Sequence, residues 1–326
     1  MNQAAIIPAH GADEQLLLKI DRREPVADGV VTLIMTSAGG GALPAWSPGA
    51  HIDLVLPNGV TRQYSLCGDP ADRSRWRIGV LHAPASRGGS EYIHTQLRAG
   101  DALKASHPRN NFPLEPAGRY LFIAGGIGIT PILPMLAQLS ATNADWRLLY
   151  GGRSARSMAF VEEIARLAGG VVDICPEDEN GLLDLDACLS GHEPGRLVYC
   201  CGPEPLIEAV EDRCRSWPAG ALRKERFSPS ERHAPLDPGE FDVELARSGQ
   251  RVRVPADQSM LSALEDAGCT ITNSCRAGIC GTCLVKVLAG IPEHNDDILS
   301  DQQREAGEVV LPCVSRSRTA TLVLDL

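Results

Sequence analysis

The first third of the chain alternates short apolar runs with polar positions and turn residues. The segments LLLKIDRREPVADGVVTLIMTS, GAHIDLVLPNGVTRQYSLC and RWRIGVLHAP have the alternation of half-buried strands, and Asn58-Gly59 favours a tight turn between two of them. Short strands joined by tight turns are typical of closed antiparallel sheets. The pattern therefore predicts an antiparallel β-barrel in this part of the chain.

The middle of the chain alternates buried strands with helices. The uncharged run from Tyr120 to Ala144, YLFIAGGIGITPILPMLAQLSATNA, is interrupted by three glycines and two prolines. It predicts a strand, a tight turn and a helix rather than a membrane span, with Thr130 as the N-cap and Pro131 at the first helical position. Similar units follow in DWRLLYGGRS and GRLVYCCGPEPLIEAV. The alternation predicts a parallel α/β sheet with ligand-binding loops at its carboxyl edge.

The last third is separated from the rest by a stretch rich in Pro, Ser and charge, FSPSERHAPLDPGEFDVEL, which has the composition of a linker. Beyond it, the alternation in FDVELARSGQRVRVP predicts a hairpin. A chain of 326 residues is long enough for two or three domains. We predict a barrel domain over residues 13–116, an α/β domain over 117–227, a linker over 228–239 and a terminal domain over 240–326.

The terminal segment also concentrates cysteines in a glycine-rich loop, SCRAGICGTC. The pattern C-x4-C-x2-C is followed by a fourth cysteine 30 positions later: Cys275, Cys280, Cys283 and Cys313. This is the plant-type spacing for a [2Fe-2S] cluster, and Gly278 and Gly281 would let the backbone approach the sulfurs. A structural zinc site is the alternative, but it usually pairs two C-x2-C knuckles. A Rieske centre needs two histidine ligands, and no Cys-x-His occurs in the chain.

Composition and charge limit the cellular compartment and the partners that the sequence predicts for this protein. The first 20 residues have no basic region followed by an apolar core, so no signal peptide is predicted and a cytoplasmic location is expected. In a reducing compartment, 11 cysteines, an odd number, argue against a disulfide framework. A net charge of -10 without a basic stripe argues against a nucleic-acid partner, and no membrane span is predicted.

Three stretches are candidates for binding a phosphorylated cofactor. In RQYSL, Arg62 offers a guanidinium, Tyr64 a ring and Ser65 a hydroxyl, and in SRGGSEYIHTQL two glycines precede Ser90 at a helix start. The third is the glycine-rich turn GGIG at residues 125–128, which leads into a helix. Each has a plain structural alternative: a solvated strand charge, an ordinary N-cap, or a tight strand-to-helix turn.

Taken in order, RQYSL, GGS, GGIGITP, YGGR, CGP and ERF resemble the motifs of ferredoxin-NADP-reductase-like flavoproteins. The C-terminal CRAGICGTC…C narrows the resemblance to the phthalate dioxygenase reductase type, with the reductase subunits of vanillate demethylase and related oxygenases. The resemblance covers residues 13–326. It implies a flavin-binding antiparallel β-barrel, an NAD-binding α/β domain with a parallel sheet, and an α+β ferredoxin domain of the β-grasp type.

The resemblance also assigns roles to matched residues. The flavin would be held by Arg62, Tyr64, Ser65, Gly89, Ser90 and Phe227. The nicotinamide nucleotide would be held by Gly126, Gly128, Thr130, Arg153, Cys201, Gly202 and Pro203. Ser65, Cys201 and Phe227 would lie beside the reacting atoms. The choice of FMN over FAD, and of NADH over NADPH, follows only from the branch of the family that the sequence resembles. NADPH stays an alternative because of Arg153 and Arg156, since an arginine at such a position can bind a 2′-phosphate.

The function implied is that of a monomeric reductase component. It would pass electrons from NADH through FMN and [2Fe-2S] to the Rieske centre of a separate terminal oxygenase, which hydroxylates or demethylates a small aromatic acid. Docking would be transient, and residues 240–326 carry a net charge of -5, as the preceding 239 residues do, which suits either electrostatic steering or simple solubility. The alternatives are a self-contained NAD(P)H reductase of a quinone or ferric chelate, and a non-enzymatic electron carrier.

Overall fold

The computed structural model describes residues 15–83, 88–142, 144–230 and 239–326. The chain divides into two compact units, one of Gln15–Phe227 and one containing Ser228–Leu326. Most of the predicted linker, residues 231–238, and the start of the predicted barrel domain, residues 13–14, lie outside the described residues. The domain limits given above therefore stay predictions.

The first unit begins with a six-stranded antiparallel sheet in the order β4-β3-β6-β1-β2-β5. Its strands are β1 (Leu16–Ala27), β2 (Val30–Ser37), β3 (His51–Val55), β4 (Thr61–Ser65), β5 (Trp76–Leu81) and β6 (Ala102–Ala105), with helix α1 (Gly89–Thr95) between the last two. A bridge between Leu66 and Ile78 joins the end of β4 to β5, so the sheet closes on itself as a barrel. The predicted turn at Asn58-Gly59 is confirmed, since β3 and β4 pair across it and Gly59 has φ +81°.

A dense apolar core fills this barrel. Alternate residues of the long strands point inward, among them Leu18, Ile20, Leu33, Met35 and Ile78, each no more than 1 % exposed. Burying one such side chain stabilises the fold by about 1.5–3 kcal/mol. The period-two alternation in the sequence thus becomes the inner surface of the barrel, and the polar positions between face outward.

The rest of this unit is a five-stranded parallel sheet in the order β11-β10-β7-β8-β9. The strands are β7 (Arg119–Gly125), β8 (Asp145–Gly152), β9 (Gly170–Pro176), β10 (Arg196–Cys201) and β11 (Leu222–Glu225). The helices are α2 (Ile129–Ala141), α3 (Val161–Ile164), α4 (Glu177–Asn180), α5 (Leu185–Cys188) and α6 (Glu204–Cys214), with 3-10 turns at Gly126–Gly128 and Ala155–Ser157. The strand order reverses between β7 and β10, so the crevice at their carboxyl ends is where such sheets bind ligands.

The start of α2 differs from the sequence expectation. The helix begins at Ile129, with Gly128 as its N-cap, so Thr130 and Pro131 are its second and third residues. The predicted capping role of Thr130 is wrong: its hydroxyl donates to the carbonyl of Ile127 at 2.9 Å. The preceding 3-10 turn has already supplied the first helical turn, so no side-chain cap is required.

The barrel and the parallel sheet pack directly against each other within this unit. The guanidinium of Arg77, on β5, lies 2.9 Å from the Glu163 carboxylate on α3 and 5.2 Å from the centre of the Phe160 ring. A Cβ added at Gly79, also on β5, would lie 2.9 Å from the Thr130 methyl group. These contacts hold the segments that follow β7 and β8 in a set position relative to the barrel strands.

The second unit is built on a mixed sheet in the order β13-β12-β18-β14-β16, in which β12 and β18 run parallel. Its strands are β12 (Phe241–Leu245), β13 (Arg251–Val254), β14 (Val285–Ala289), β15 (Pro292–Glu293), β16 (Val309–Val310), β17 (Arg316–Ser317) and β18 (Thr321–Leu324), with helices α7 (Met260–Asp266) and α8 (Asp301–Ala306). The predicted hairpin is confirmed as β12–β13. No helix in the described ranges is long and apolar enough to cross a bilayer.

Candidate flavin, nucleotide and cluster sites

The predicted flavin-phosphate residues come together at the start of α1. Gly88 precedes the helix with φ +84°, and its carbonyl accepts a hydrogen bond of 3.1 Å from the Asn58 side chain. A Cβ added at the next residue, Gly89, would lie 2.6 Å from Cγ of Arg62 and 2.9 Å from its Nε. Only a glycine lets the Arg62 side chain lie against this backbone. The arrangement fits an anion held between a guanidinium and amide groups.

The other two residues of the RQYSL motif lie along the same strand. Tyr64 is half-buried against the barrel core, and burial raises the pKa of its hydroxyl, although the positive charge of Arg62 acts in the opposite direction. Ser65 is buried and pairs across the strands with His51. Ser90 is not the N-cap of α1, which is Gly88; its hydroxyl accepts a hydrogen bond of 3.2 Å from the Ala83 amide.

The predicted nucleotide turn packs tightly against the end of β10. A Cβ added at Gly128 would lie 2.3 Å from the carbonyl oxygen of Cys201, and one added at Gly125 would lie 2.6 Å from Cδ of Pro203. Gly126 has φ +52° and faces open space. The hydroxyl of Tyr150, on β8, lies 3.2 Å from the Gly126 carbonyl oxygen and supports the turn from below. The two loops thus form a single crevice wall.

We expect Gly128→Ala to weaken NADH binding by roughly tenfold and to lower the free energy of unfolding by about 1–3 kcal/mol, as overpacking does. Its φ of -61° is ordinary, so the effect would come from the overlap with the β10 backbone. Gly191→Ala is the control, because an added Cβ there meets no described atom within 4 Å. Titration of the oxidised protein with NAD+ measures the change, and equal affinity in both variants would contradict the assignment.

Two arginines follow β8 and bear on the choice of nucleotide. Arg153 is exposed, and its carbonyl accepts a hydrogen bond from the Asp178 amide at 3.2 Å. Arg156 is exposed and lies 3.6 Å from the Asp28 carboxylate. The assignment of Arg153 to the adenosine half of a nucleotide therefore stays a prediction, whereas Arg156 already has an acidic neighbour.

Phe227 ends the first unit with an exposed aromatic ring, 41 % accessible. The residue before it, Arg226, is buried and anchors the chain to α6 through ion pairs with Glu204 and Glu211, the latter at 2.7 Å. Lys224 and Arg226 both pair with Glu211 on α6, so the Glu225 side chain between them points away from α6. An exposed ring held on a fixed backbone suits the predicted role of covering a flat cofactor.

Sequence reasoning missed two residues at this site, His51 and Glu225. Nδ1 of His51 lies 3.9 Å from Oε1 of Glu225; His51 is buried, and the Glu225 side chain is 13 % exposed. Burial raises the pKa of Glu225 to about 8, while burial and then the positive charge of Arg109 lower the pKa of His51. The only sequence signal was the presence of Glu225 in the ERF motif, since nothing in the local pattern links it to a strand more than 170 positions earlier.

The raised pKa of Glu225 predicts a pH-dependent stability. The folded state holds the carboxyl proton more tightly than the unfolded state. The protonated Glu225 therefore adds its full share to the free energy of unfolding below the ordinary carboxyl pKa, and this share is lost as pH rises towards 8. Between pH 6.5 and 8 we expect wild type to lose up to about 1.4 kcal/mol per pH unit from this group. Glu225→Gln should flatten the slope of the free energy of unfolding against pH. Glu162→Gln, which changes an exposed carboxylate, should leave that slope as in wild type. Tryptophan fluorescence during urea unfolding reports this unit alone, because all four tryptophans belong to it.

The loop with three of the predicted cluster ligands connects α7 to β14 in the second unit. Four of its residues have left-handed backbone angles: Gly268 (φ 88°), Arg276 (51°), Gly278 (72°) and Gly281 (72°). Arg276 is not a glycine, so its left-handed backbone conformation costs about 1–2 kcal/mol. The Arg276 guanidinium lies 2.6 Å from the Glu265 carboxylate on α7, and this ion pair fixes the loop against the helix.

Backbone amides of the loop point at the sulfurs. The amide of Ala277 donates to Sγ of Cys275 at 3.3 Å, and that of Thr282 donates to Sγ of Cys280 at 3.4 Å. Hydrogen bonds to sulfur stabilise thiolate ligands and tune the cluster potential. The loop is therefore shaped to hold deprotonated sulfur, not merely to bury small side chains.

None of the four cysteines forms a disulfide, and Cys275 neighbours Cys280 as Cys283 neighbours Cys313. The neighbouring sulfur and burial raise the pKa of Cys275 and of Cys313, while Cys275 lowers the pKa of Cys280. Four neighbouring thiols are the donor set that the two irons of a [2Fe-2S] cluster need. The residues fit this cluster.

Known proteins carry the same features. A family model described as a 2Fe-2S iron-sulfur cluster binding domain matches residues 243–318. The chain is 42 % identical to phenoxybenzoate dioxygenase subunit beta of Ectopseudomonas oleovorans, over 98 % of this chain and 95 % of that protein. It is 41 % identical to the vanillate O-demethylase oxidoreductase of Pseudomonas sp. (strain HR199 / DSM 7063), over 92 % and 96 %.

A solved structure, phthalate dioxygenase reductase, described as a modular structure for electron transfer from pyridine nucleotides to [2Fe-2S], matches with a TM-score of 0.70 and 36 % identity over 96 % of this chain and 98 % of its own. The chain belongs to the phthalate dioxygenase reductase family. The predicted fold class, a flavin barrel, a nucleotide-binding α/β sheet and a β-grasp ferredoxin unit, is thereby confirmed. As a member of this family the chain is an NADH-dependent oxidoreductase that uses FMN and a [2Fe-2S] cluster and serves an oxygenase system.

Proposed function

We propose that this chain takes electrons from NADH and delivers them, through FMN and its [2Fe-2S] cluster, to the Rieske centre of a separate terminal oxygenase. That oxygenase would hydroxylate or demethylate a small aromatic acid, as the names phenoxybenzoate dioxygenase and vanillate O-demethylase of the relatives suggest. The observation that carries the proposal is the presence, in one chain, of a nucleotide crevice beside the RQYSL strand and a four-cysteine ferredoxin loop.

The three centres differ in the number of electrons they handle. NADH gives up two electrons together, a cluster accepts one, and a flavin can take a pair and release them singly. The role of the protein is to bind the centres in order and to exclude water. We assign the flavin phosphate to Arg62, Gly89 and Ser90, and the flavin ring to Tyr64, Ser65 and Phe227.

The nucleotide half of the site follows the crevice between β7 and β10. We assign the pyrophosphate to the turn of Gly126, Gly128 and Thr130, and the nicotinamide to the loop of Cys201, Gly202 and Pro203. Thr130 contributes through its place in the turn, because its hydroxyl already donates to Ile127 and its methyl group faces the barrel. Arg153 is assigned to the adenosine half. The cluster is assigned to Cys275, Cys280, Cys283 and Cys313.

The partner is proposed from the chemistry that the chain lacks. No Cys-x-His of a Rieske ligand set occurs in the sequence, so we propose that substrate oxygenation belongs to another protein. The ferredoxin segment is the more acidic part per residue, with a net charge of -5 in 87 residues. We propose that a monomeric, cytoplasmic reductase docks weakly and transiently through this segment on a basic patch of the oxygenase.

The proposal predicts a salt-dependent electron transfer to the partner. Mixing the protein with NADH and a Rieske oxygenase encoded beside it should give oxygen consumption that requires the aromatic substrate. The rate should fall several-fold between 0.05 and 0.5 M salt, because the Debye length that screens exposed charges shortens over this range from roughly 14 Å to about 4 Å. Flavin reduction by NADH is the control and should change little.

The self-contained reductase is the competing outcome. It would be supported if a soluble quinone or ferric chelate were reduced rapidly at physiological concentration while electrons never reached the oxygenase at any salt concentration. Mass spectrometry of the released flavin tests the identity of the cofactor separately. Finding FAD in place of FMN would contradict the assignment to this branch of the family but would not affect the assignment of the fold.

A further inference from the structure

The chain at the end of β5 lies alongside α1, and side chains join the two. The amide of Ala83, just after the strand, donates to the Ser90 hydroxyl at 3.2 Å. The residue before it, His82, pairs through its Nε2 with the Glu91 carboxylate. These two contacts fasten the first turn of α1 to the barrel strand that precedes it.

A third contact holds the other end of the helix. Nε2 of His94 donates to the Val80 carbonyl oxygen on β5 at 3.0 Å, and the His94 carbonyl accepts a hydrogen bond of 2.7 Å from Arg23. The His94 ring also stacks on the His82 ring, with centroids 4.9 Å apart and planes inclined by 23°. Burial lowers the pKa of His94, so at neutral pH its ring is uncharged and does not repel a protonated His82.

Helix α1 depends on such contacts for its position. It has only seven residues, and an isolated helix shorter than about 12 residues is marginal in water. Only Gly89 and Ile93 of the helix are buried. The place of α1 on the barrel is therefore set by one apolar side chain in the core and by the polar contacts of its exposed and half-buried residues.

The position of α1 in turn decides how the Gly89 backbone meets Arg62. The space between them is fully used, since a Cβ added at Gly89 would lie 2.6 Å from Cγ of Arg62. On the β4 side the guanidinium is held by a hydrogen bond of 2.8 Å to the Thr61 carbonyl. A small movement of α1 therefore changes the gap between the Arg62 side chain and the start of the helix, where an anion would be held.

We infer that His82 and His94 are positioning residues for the flavin phosphate and that, with Glu91, they form a clamp that holds α1 against Arg62. This inference rests on the proposed function, in which Arg62 and the start of α1 bind the phosphate of FMN. Neither histidine has to touch the flavin for this role. Loss of the clamp should lower the affinity for the phosphate group and leave the binding of the flavin ring on β4 unchanged.

Riboflavin, which is FMN without its phosphate, separates the two parts of the site. Fluorescence titration of the flavin-free, full-length protein with each flavin gives both affinities. His82→Ala and His94→Ala should bind FMN about threefold to tenfold more weakly than wild type, because each loses one or two hydrogen-bonded contacts of α1. Both variants should bind riboflavin as wild type does.

Two further variants separate the clamp from general effects of substitution. His82→Gln keeps a side-chain N–H that can reach the Glu91 carboxylate, so it should regain most of the FMN affinity that His82→Ala loses. His107→Ala removes an exposed histidine elsewhere in the same unit and should bind both flavins as wild type does.

The inference and the proposed function fail in distinguishable ways. If either alanine variant of the clamp loses affinity for FMN and riboflavin alike, or for neither, the clamp is overturned while the assignment of the phosphate to Arg62 stands. If wild type does not prefer FMN to riboflavin, or if Arg62→Ala keeps that preference, the phosphate assignment of the proposed function is wrong and the clamp is wrong with it.

Discussion

Replacing Cys280 by Ser is expected to abolish the iron–sulfur absorption of the protein and its reduction of a protein acceptor. Cys280 is 2 % exposed, its sulfur accepts the Thr282 amide hydrogen bond, and its pKa is lowered by its neighbour Cys275. A serine hydroxyl fits the space but remains protonated at neutral pH and is a poor ligand for iron. NADH should still bleach the flavin, since that step precedes the cluster.

The matched control lies in the same unit. Cys269 is half-buried, follows α7 and packs at the edge of the apolar core, with no partner in the cluster loop. Cys269→Ser should retain full iron content and acceptor reduction, with at most a small loss of stability. Iron analysis and visible absorption of both purified variants check the expectation. Full iron content in Cys280→Ser would show that the ligand assignment is wrong.

The elements that sequence reasoning predicts well are those whose signals are local. The barrel hairpins follow from alternation and from a turn pair such as Asn58-Gly59, and the β7–turn–α2 unit follows from an apolar strand that runs into glycines. Likewise, Cys275, Cys280 and Cys283 lie in one loop, so their spacing and the glycines that the loop backbone requires, Gly278 and Gly281, are close together in the sequence. In each case the residues that determine the structure are neighbours in the chain.

The His51–Glu225 contact is invisible in the sequence because it depends on tertiary structure. It needs the register of β3 with β4, the register of β10 with β11, and the packing of the barrel on the parallel sheet. None of these can be deduced from local propensity. The wrong cap at Thr130 has a smaller cause of the same kind: the turn against Cys201 tightens into a 3-10 helix, and the helix starts two residues earlier than predicted.

The effect of Arg62→Ala on flavin retention is the second large expectation. The Arg62 side chain lies along Gly89 at the start of α1, where a charge-assisted contact with the flavin phosphate contributes roughly 1.5–3 kcal/mol. Its loss should weaken flavin binding by on the order of tenfold or more. Iron content should not change, because the cluster residues belong to the other compact unit.

Two further variants separate charge from geometry and from general destabilisation. Arg62→Lys keeps the charge but loses the planar fork of donors, so its flavin affinity should fall between those of wild type and Arg62→Ala. Arg22→Ala, on β1 of the same barrel, removes an exposed arginine that pairs only with Asp21 and Glu24 among the described residues, and it should retain flavin as wild type does. Fluorescence titration of the flavin-free variants with FMN gives the three affinities. If Arg62→Ala binds FMN as tightly as Arg22→Ala, the phosphate is held elsewhere, and the close approach of Arg62 to Gly89 serves only the packing of α1 on the barrel.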